Sequence, residues 1–224
     1  MIQQFDFSAF KTAYFNRQAL SMLFLGFAAG VPILLIFSSL GLWLREAGID
    51  RSTVTMFSWA ALGYSFKFIW SPLVDALPLP VLGKMLGHRR SWLLLCQVFI
   101  ITAIIMMAMT DPAQVAPSVM AVGAVLLSFS AATQDIVIDA YRIESAPSEM
   151  QTALSASYVA GYRIGMIISG AGALYLAELF GSKEGMYQYA AWQKTYLIMA
   201  CVMLSSVATT LLIREPIRQV TPVV

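Results

Sequence analysis

Charged residues make up only 12% of this 224-residue chain, about half the share usual in a water-soluble domain. That scarcity excludes an ordinary soluble enzyme. Disorder is excluded as well, because a disordered chain needs low hydrophobicity with high net charge. Neither sign dominates: 14 Lys and Arg against 12 Asp and Glu leave a formal net charge of +2. There is thus no basic field for nucleic acid and no acidic tail. Cysteine is nearly absent. Cys96 and Cys201 each stand alone in an apolar run without a CxxC or a nearby histidine, so both are expected as small buried hydrophobes rather than a disulfide or a metal pair. The single histidine, His88, sits in a basic loop and is expected to be solvated. The chain has no HExxH zinc helix, no Ser/His/Asp set and no GxxxxGK[ST] phosphate loop, so catalysis, a metal and a cofactor are all unexpected. A secretory signal is missing too. The first apolar run exceeds an h-region of about 7 to 15 residues and lacks a cleavage site, so it is expected to persist as a span.

What the chain has is oil: 59% of its residues are apolar, enough for about six helical crossings of a bilayer core about 30 Å thick. Hydropathy places them near Ala19 to Leu44, Thr53 to Val74, Ser91 to Met109, Ser118 to Ala140, Thr152 to Ala177 and Gln193 to Ile213. Turns, charges or prolines mark the ends, among them Asp111-Pro112 and Glu215-Pro216. Lipid offers no partner to free backbone groups, and each segment is too long for a barrel strand, so an all-α membrane bundle is predicted. Residues 1–18 then form an N-terminal segment, 19–213 the six-helix bundle, and 214–224 the start of a central loop. With the N-terminus inside, the inner segments hold Lys11, Arg17, Lys84, Arg89, Arg90, Arg142, Arg214 and Arg218, and the outer ones only Arg45, Arg51, Lys183 and Lys194. That asymmetry predicts both termini in the cytoplasm.

Small residues predict how the helices pack. Ser157, Gly161, Gly165, Ser169 and Ala173 recur every four residues in the fifth span, a stripe along which another backbone can come close. Gly26 and Gly30 make a shorter version in the first span, followed by Pro32, which predicts a kink.

Ionisable residues inside a span cost about 2.5 to 3.5 kcal/mol each on insertion scales, which makes them functional hypotheses. Lys67, Asp135, Asp139 and Arg163 are such residues. At 1.5 Å per residue from the inner ends, Arg163 lies about 16 Å deep, and Lys67 and Asp135 about 8 to 10 Å. The matching depths of Lys67 and Asp135 make them the expected ion pair. Asp135, Asp139 and Arg142 share one helix face and are expected to form a ladder, with Gln134 and Tyr141 adding hydrogen-bonding groups. Tyr158 and Tyr162, four apart beside Arg163, offer two rings with hydroxyl tips, a surface suited to a sugar or peptide face. A plain packing role for these groups, with a register-fixing ion network, is the alternative. A carboxylate that loses its cation partner in oil takes up a proton, so a helix movement there would couple to a proton gradient. Asp75 and the Gly87-His88-Arg89-Arg90 run are expected to clamp a cytoplasmic gate.

Asp75 with Gly87 to Arg90 resembles a stretched form of the loop signature of the major facilitator superfamily. The segments LGFAAGVPILL from Leu25, FKFIWSPLVD from Phe66, RRSWLLLCQ from Arg89, SAATQDIVIDAYR from Ser130 and GYRIGMIISGAGALYLAE from Gly161 resemble the AmpG muropeptide permeases. The similarity runs across nearly all of residues 20–216. The resemblance implies a bacterial inner-membrane carrier that imports N-acetylglucosaminyl-anhydro-muramyl peptides with protons for peptidoglycan recycling. It also implies two inverted three-helix repeats facing a central cavity, with Gln134, Asp135, Asp139, Tyr158, Tyr162 and Arg163 near the pathway. Two departures stand out: Ala76 replaces the usual Arg after the loop aspartate, and Ala76 to Met85 is longer and richer in proline than the family pattern. The family has twelve or more spans, so the chain corresponds to an N-terminal half that joins lipids and a C-terminal six-helix half or partner chain. Another cargo, such as acetyl-coenzyme A, or a non-transporting scaffold or truncated fragment are the competing readings.

Overall fold

The computed structural model describes residues 14–57, 59, 62–183 and 185–216; Lys11 and Arg218, assigned to the inner segments, lie outside them. The described residues are almost wholly helical. Helix α1 (Arg17–Leu34) starts at Asn16, whose side chain accepts the Ala19 N–H at 2.8 Å, satisfying one of the donors that a helix start leaves free. Pro32 lies inside α1 and cannot donate to the ladder. Just beyond it the chain passes through a π turn, Leu35–Ser39, before resuming as α2 (Leu40–Glu46). The predicted kink therefore takes the form of one wider turn. Gly48, with a φ of +82°, ends the rod, and Asp50 caps the next helix, α3 (Arg51–Met56).

The second predicted span departs most from expectation. In place of one helix from Thr53 to Val74 the chain forms α3, a short α4 (Leu62–Ser65), a 3₁₀ turn (Lys67–Ile69) and α5 (Ser71–Ala76). The break has local causes. Pro72 stands in the first turn of α5, where its missing N–H is harmless, but its ring disfavours helix in the residue before it. Gly63 and Ser65 lower helix propensity just upstream. Trp59, Phe66, Phe68, Ile69 and Leu73 are left exposed along this stretch.

The remaining spans are continuous. A short α6 (Leu82–Leu86) leads through Gly87, φ +92°, into α7 (His88–Ala108). Then follow α8 (Pro117–Ser145), α9 (Gln151–Ile167), a second π turn (Ile168–Gly172), α10 (Ala173–Leu179) and α11 (Tyr189–Leu212). Five rods are long and apolar enough to cross a membrane: 17–46, 88–108, 117–145, 148–179 and 189–212. The broken segment of residues 51–76 accompanies them. His88 is half-buried, with its ring nitrogen 3.2 Å from the Val74 carbonyl, rather than solvated. Cys96 is buried as expected, but Cys201 is exposed on α11.

The predicted small-residue seam joins α1 to α9. A Cβ on Gly26 or Gly30 would run into the carbonyl of Tyr158 or Tyr162, and one on Gly161 or Gly165 into the carbonyl of Leu23 or Phe27. Each helix thus supplies two glycines that admit the other's backbone, the close approach that small residues permit where lipid gives no hydrophobic drive. The π turns lie at one level. Ser39 Oγ donates to the Ser169 carbonyl at 2.8 Å, and the Tyr196 hydroxyl donates to the Leu35 carbonyl at 3.1 Å.

Candidate functional site

Three elements bring the predicted ionic groups together. The broken second segment supplies Lys67, α8 supplies Asp135, and α9 supplies Tyr158. Lys67 Nζ lies 3.8 Å from Asp135 Oδ2, with Asp135 largely buried and Lys67 half-buried. The Tyr158 hydroxyl donates to Asp135 Oδ1 at 3.4 Å. The Tyr158 and Tyr162 rings stand 6.0 Å apart at 32°, so their hydroxyl tips and faces form one surface beside the carboxylate. Two residues that sequence reasoning passed over belong here. Trp70 donates from Nε1 to Thr133 Oγ1 at 3.1 Å and packs on Phe129 at 4.6 Å between ring centres. Tyr64 lies within electrostatic reach of Asp135, Tyr158 and Tyr162. Their signal was the aromatic density of the second segment, which reads equally well as lipid-facing bulk.

The expected ladder along α8 is only half formed. Asp139 meets Arg142 at 3.5 Å, and Arg142 donates to Ser155 Oγ at 2.6 Å, while Asp135 turns to Lys67 instead. Tyr141 leaves the group: its hydroxyl donates to the Arg214 carbonyl at 3.0 Å. Gln134 is fully buried, and neither its Oε1 nor its Nε2 finds a partner among the described residues. Arg163 is exposed on α9, with its Nη1 4.0 Å from the Met166 sulfur.

The predicted gate residues sit together at the end of the bundle that gathers the described chain ends. Arg89 Nη1 bonds Asp75 Oδ1 at 2.6 Å, while Nη2 and Nε hold Glu144 at 2.6 and 3.0 Å. The Arg89 side chain is 6% exposed, so this is a nearly dry guanidinium held by two carboxylates in a forked geometry. Arg90 makes no ion pair among the described residues. It donates to the carbonyls of Thr210 and Leu211 at 2.9 and 2.7 Å, closing the C-terminus of α11, where a cation is favoured. Glu215 accepts the Arg89 and Arg90 backbone N–H groups at 2.7 and 3.0 Å, and so caps the N-terminus of α7 with negative charge. A cavity of about 910 Å³ opens beside it, lined in part by Arg17, Tyr141, Glu144, Arg214 and Glu215. Sequence reasoning missed Glu144 and Glu215 because both fall just outside the hydropathy boundaries within which ionisable residues were sought.

Residues 8–223 match the family model described as Major Facilitator Superfamily. The chain is 43% identical over 189 residues to "Putative transporter AmpG 4" of Rickettsia felis, covering 84% of this chain and 43% of that protein. It is 38% identical over 195 residues to "Anhydromuropeptide permease" of Escherichia coli K12, covering 87% and 37%. To "Putative transporter AmpG 3" of Rickettsia prowazekii it is 33% identical over 204 residues, covering 91% and 46%. The chain therefore spans less than half the length of these curated relatives. A bundle of apolar helices with ion pairs in its interior, matched along nearly all its length by one family model, belongs to the Major Facilitator Superfamily.

Proposed function

We propose that the chain forms the N-terminal half of a proton-coupled carrier that brings anhydro-muropeptides from the periplasm to the cytoplasm for peptidoglycan recycling. The permease name of its Escherichia coli relative supports the cargo, and the transporter names of the relatives weigh against an enzyme. The observation that carries the reading is the Lys67, Asp135 and Tyr158 constellation, in which a carboxylate inside the bundle is met by one cation and one hydroxyl from two other elements. Such a group changes its proton content when its cation withdraws, and the ring pair beside it gives a sugar face somewhere to stack.

In this reading Gln134, Asp135, Asp139, Tyr158, Tyr162, Arg163 and Lys67 border the pathway of cargo and protons. Asp75, Arg89, Arg90 and Arg142 belong to a cytoplasmic gate, and both termini face the cytoplasm in an inner membrane. This bundle, itself two inverted three-helix repeats, rocks against a second six-helix half around a midplane site.

Uptake of radiolabelled anhydro-muropeptide by cells lacking their own permease, expressing this chain with the six-helix half that completes it, tests the reading. Uptake that a protonophore abolishes and that Asp135→Asn reduces at least tenfold is expected. A membrane-inserted protein that takes up no muropeptide would overturn the cargo; uptake indifferent to the protonophore would overturn the coupling.

A further inference from the structure

We infer that Arg163 is the anion-recognition point of the pathway and receives a carboxylate of the cargo. The inference rests on the transport reading above and adds to it the chemistry that the site selects. It starts from the charges inside the bundle. Lys67 is offset by Asp135 at 3.8 Å, and Arg142 by Asp139 at 3.5 Å. Arg163 has no carboxylate within 4.0 Å among the described residues; its recorded contact is the Met166 sulfur. One positive charge in the interior is left without a counter-ion.

Its position makes that charge costly. At 1.5 Å per residue it lies about 18 Å along α9 from Gln151, past the middle of a hydrocarbon core about 30 Å thick. Lipid phosphates stand at the core's edges, so a headgroup is a poor partner at this depth. The guanidinium is also accessible, since Arg163 is exposed while Gly161 and Gly165 on either side are buried against α1. A planar fork of donors that is always charged matches a carboxylate through two parallel bonds.

The neighbours identify the rest of the ligand. Tyr162 directly precedes Arg163, and Met166, which the guanidinium touches, is one helical turn beyond Tyr162. The cation therefore lies at the edge of the Tyr158 and Tyr162 ring pair. Aromatic faces with hydroxyl tips beside a guanidinium fit a sugar that bears an acid. A carboxylate from elsewhere in the complete transporter is the other source of the same chemistry.

The test compares two cargoes and two proteins. Uptake of an anhydro-muropeptide with free carboxylates is measured against the same compound with those groups amidated, in permease-deficient cells expressing the completed wild-type or R163Q transporter at equal membrane levels. Amidation is expected to raise the wild-type KM about ten- to a hundredfold. R163Q is expected to raise KM for the free acid by a similar factor and to erase the difference between the cargoes, with R163K between the two. Equal handling of both cargoes by the wild type, or an R163Q protein that still discriminates, overturns the inference. An R163Q defect identical for both cargoes assigns the guanidinium to a carboxylate of the transporter itself and also overturns it. Thermal shifts of the purified transporter with anhydro-N-acetylmuramic acid and its methyl ester separate this result from failure of transport. Stabilisation by the acid alone, lost in R163Q, upholds the inference even without uptake; equal shifts by acid and ester overturn it.

Discussion

At the end where Arg17, Glu144 and Arg214 meet, the helices are joined by charge, whereas at the opposite end they are joined by rings. The first end centres on Arg89, held by Asp75 and Glu144, with Glu215 capping the same helix. At the second, Trp43 stacks on Trp192 with ring centres 5.8 Å apart and planes 3° from parallel, and Tyr196 packs against Trp43 at 4.8 Å. Its one carboxylate at the centre, Glu46, accepts from Ser182 Oγ at 2.5 Å and Trp192 Nε1 at 2.7 Å. The ionic end has partners to spare, and Asp75 is 45% exposed, so water can replace one contact while another forms. The aromatic end has no such substitutes. Ring contacts are lost outright when helices separate, because a gap of an ångström forfeits much of the dispersion energy. One end suits repeated opening, and the other suits staying closed as a unit.

Substitutions that remove the centre of each end test this contrast. Arg89→Ala strands Glu144 and Asp75 without their cation and is expected to have the largest effect, about 3 to 5 kcal/mol, read by denaturant titration of the purified protein in detergent. Adding Glu144→Ala should recover part of that loss, whereas a pure packing role for Arg89 would make the double variant worse. Trp192→Ala should cost about 3 kcal/mol by emptying the stack, with no recovery from any second truncation at that end. Fluorescence-detected unfolding distinguishes the two patterns.

A smaller effect is expected at the loop that closes the aromatic end, where the Tyr187 hydroxyl donates to Asp111 Oδ1 at 2.6 Å. Burial and that bond hold the Tyr187 phenol above the ordinary tyrosine range. Its folded value is raised, so its contribution is complete below about pH 10 and disappears as pH climbs through the raised value. Tyr187→Phe should cost about 1 kcal/mol and flatten that alkaline loss; an unchanged alkaline profile would remove Tyr187 from the clasp. The smallest effect belongs to Asp50, whose carboxyl is held below its usual range by the Ser52 and Thr53 hydroxyls and the Thr53 N–H. A lowered folded value contributes stability above the ordinary carboxylate range that fades as pH falls through the lowered value. Asp50→Ala should speed amide exchange in Arg51–Met56 and leave the global unfolding midpoint unchanged.

Much of this arrangement was legible in the chain itself, and the reasons for the gaps are specific. Apolar runs located five of the spans because a bilayer demands length and oil, and those two properties are additive along a sequence. The second span misled because hydropathy sums over Gly63, Ser65 and Pro72, which break a helix without making it less apolar. Matching depth was enough to pair Lys67 with Asp135, and four-residue spacing of small residues was enough to foresee the α1 and α9 seam. Depth says nothing about which way a side chain leaves its helix, which is why Tyr141 and Gln134 were expected near the pathway. Glu144 and Glu215 escaped because charge was searched for only inside the oil. The π turns left no compositional trace, since each adds a residue without changing which residue types occur.

That surplus has a consequence for the aromatic end. In an α-helix each residue advances the side chains by about 100°, so one extra residue in Leu35–Ser39 sets the heading of everything after it. Trp43 lies four positions past that turn. Deleting any single residue between Leu35 and Ser39 would swing the indole by more than a quarter-circle away from Trp192, whichever residue was taken. Length, more than the chemical identity of its members, is what this turn contributes to the molecule.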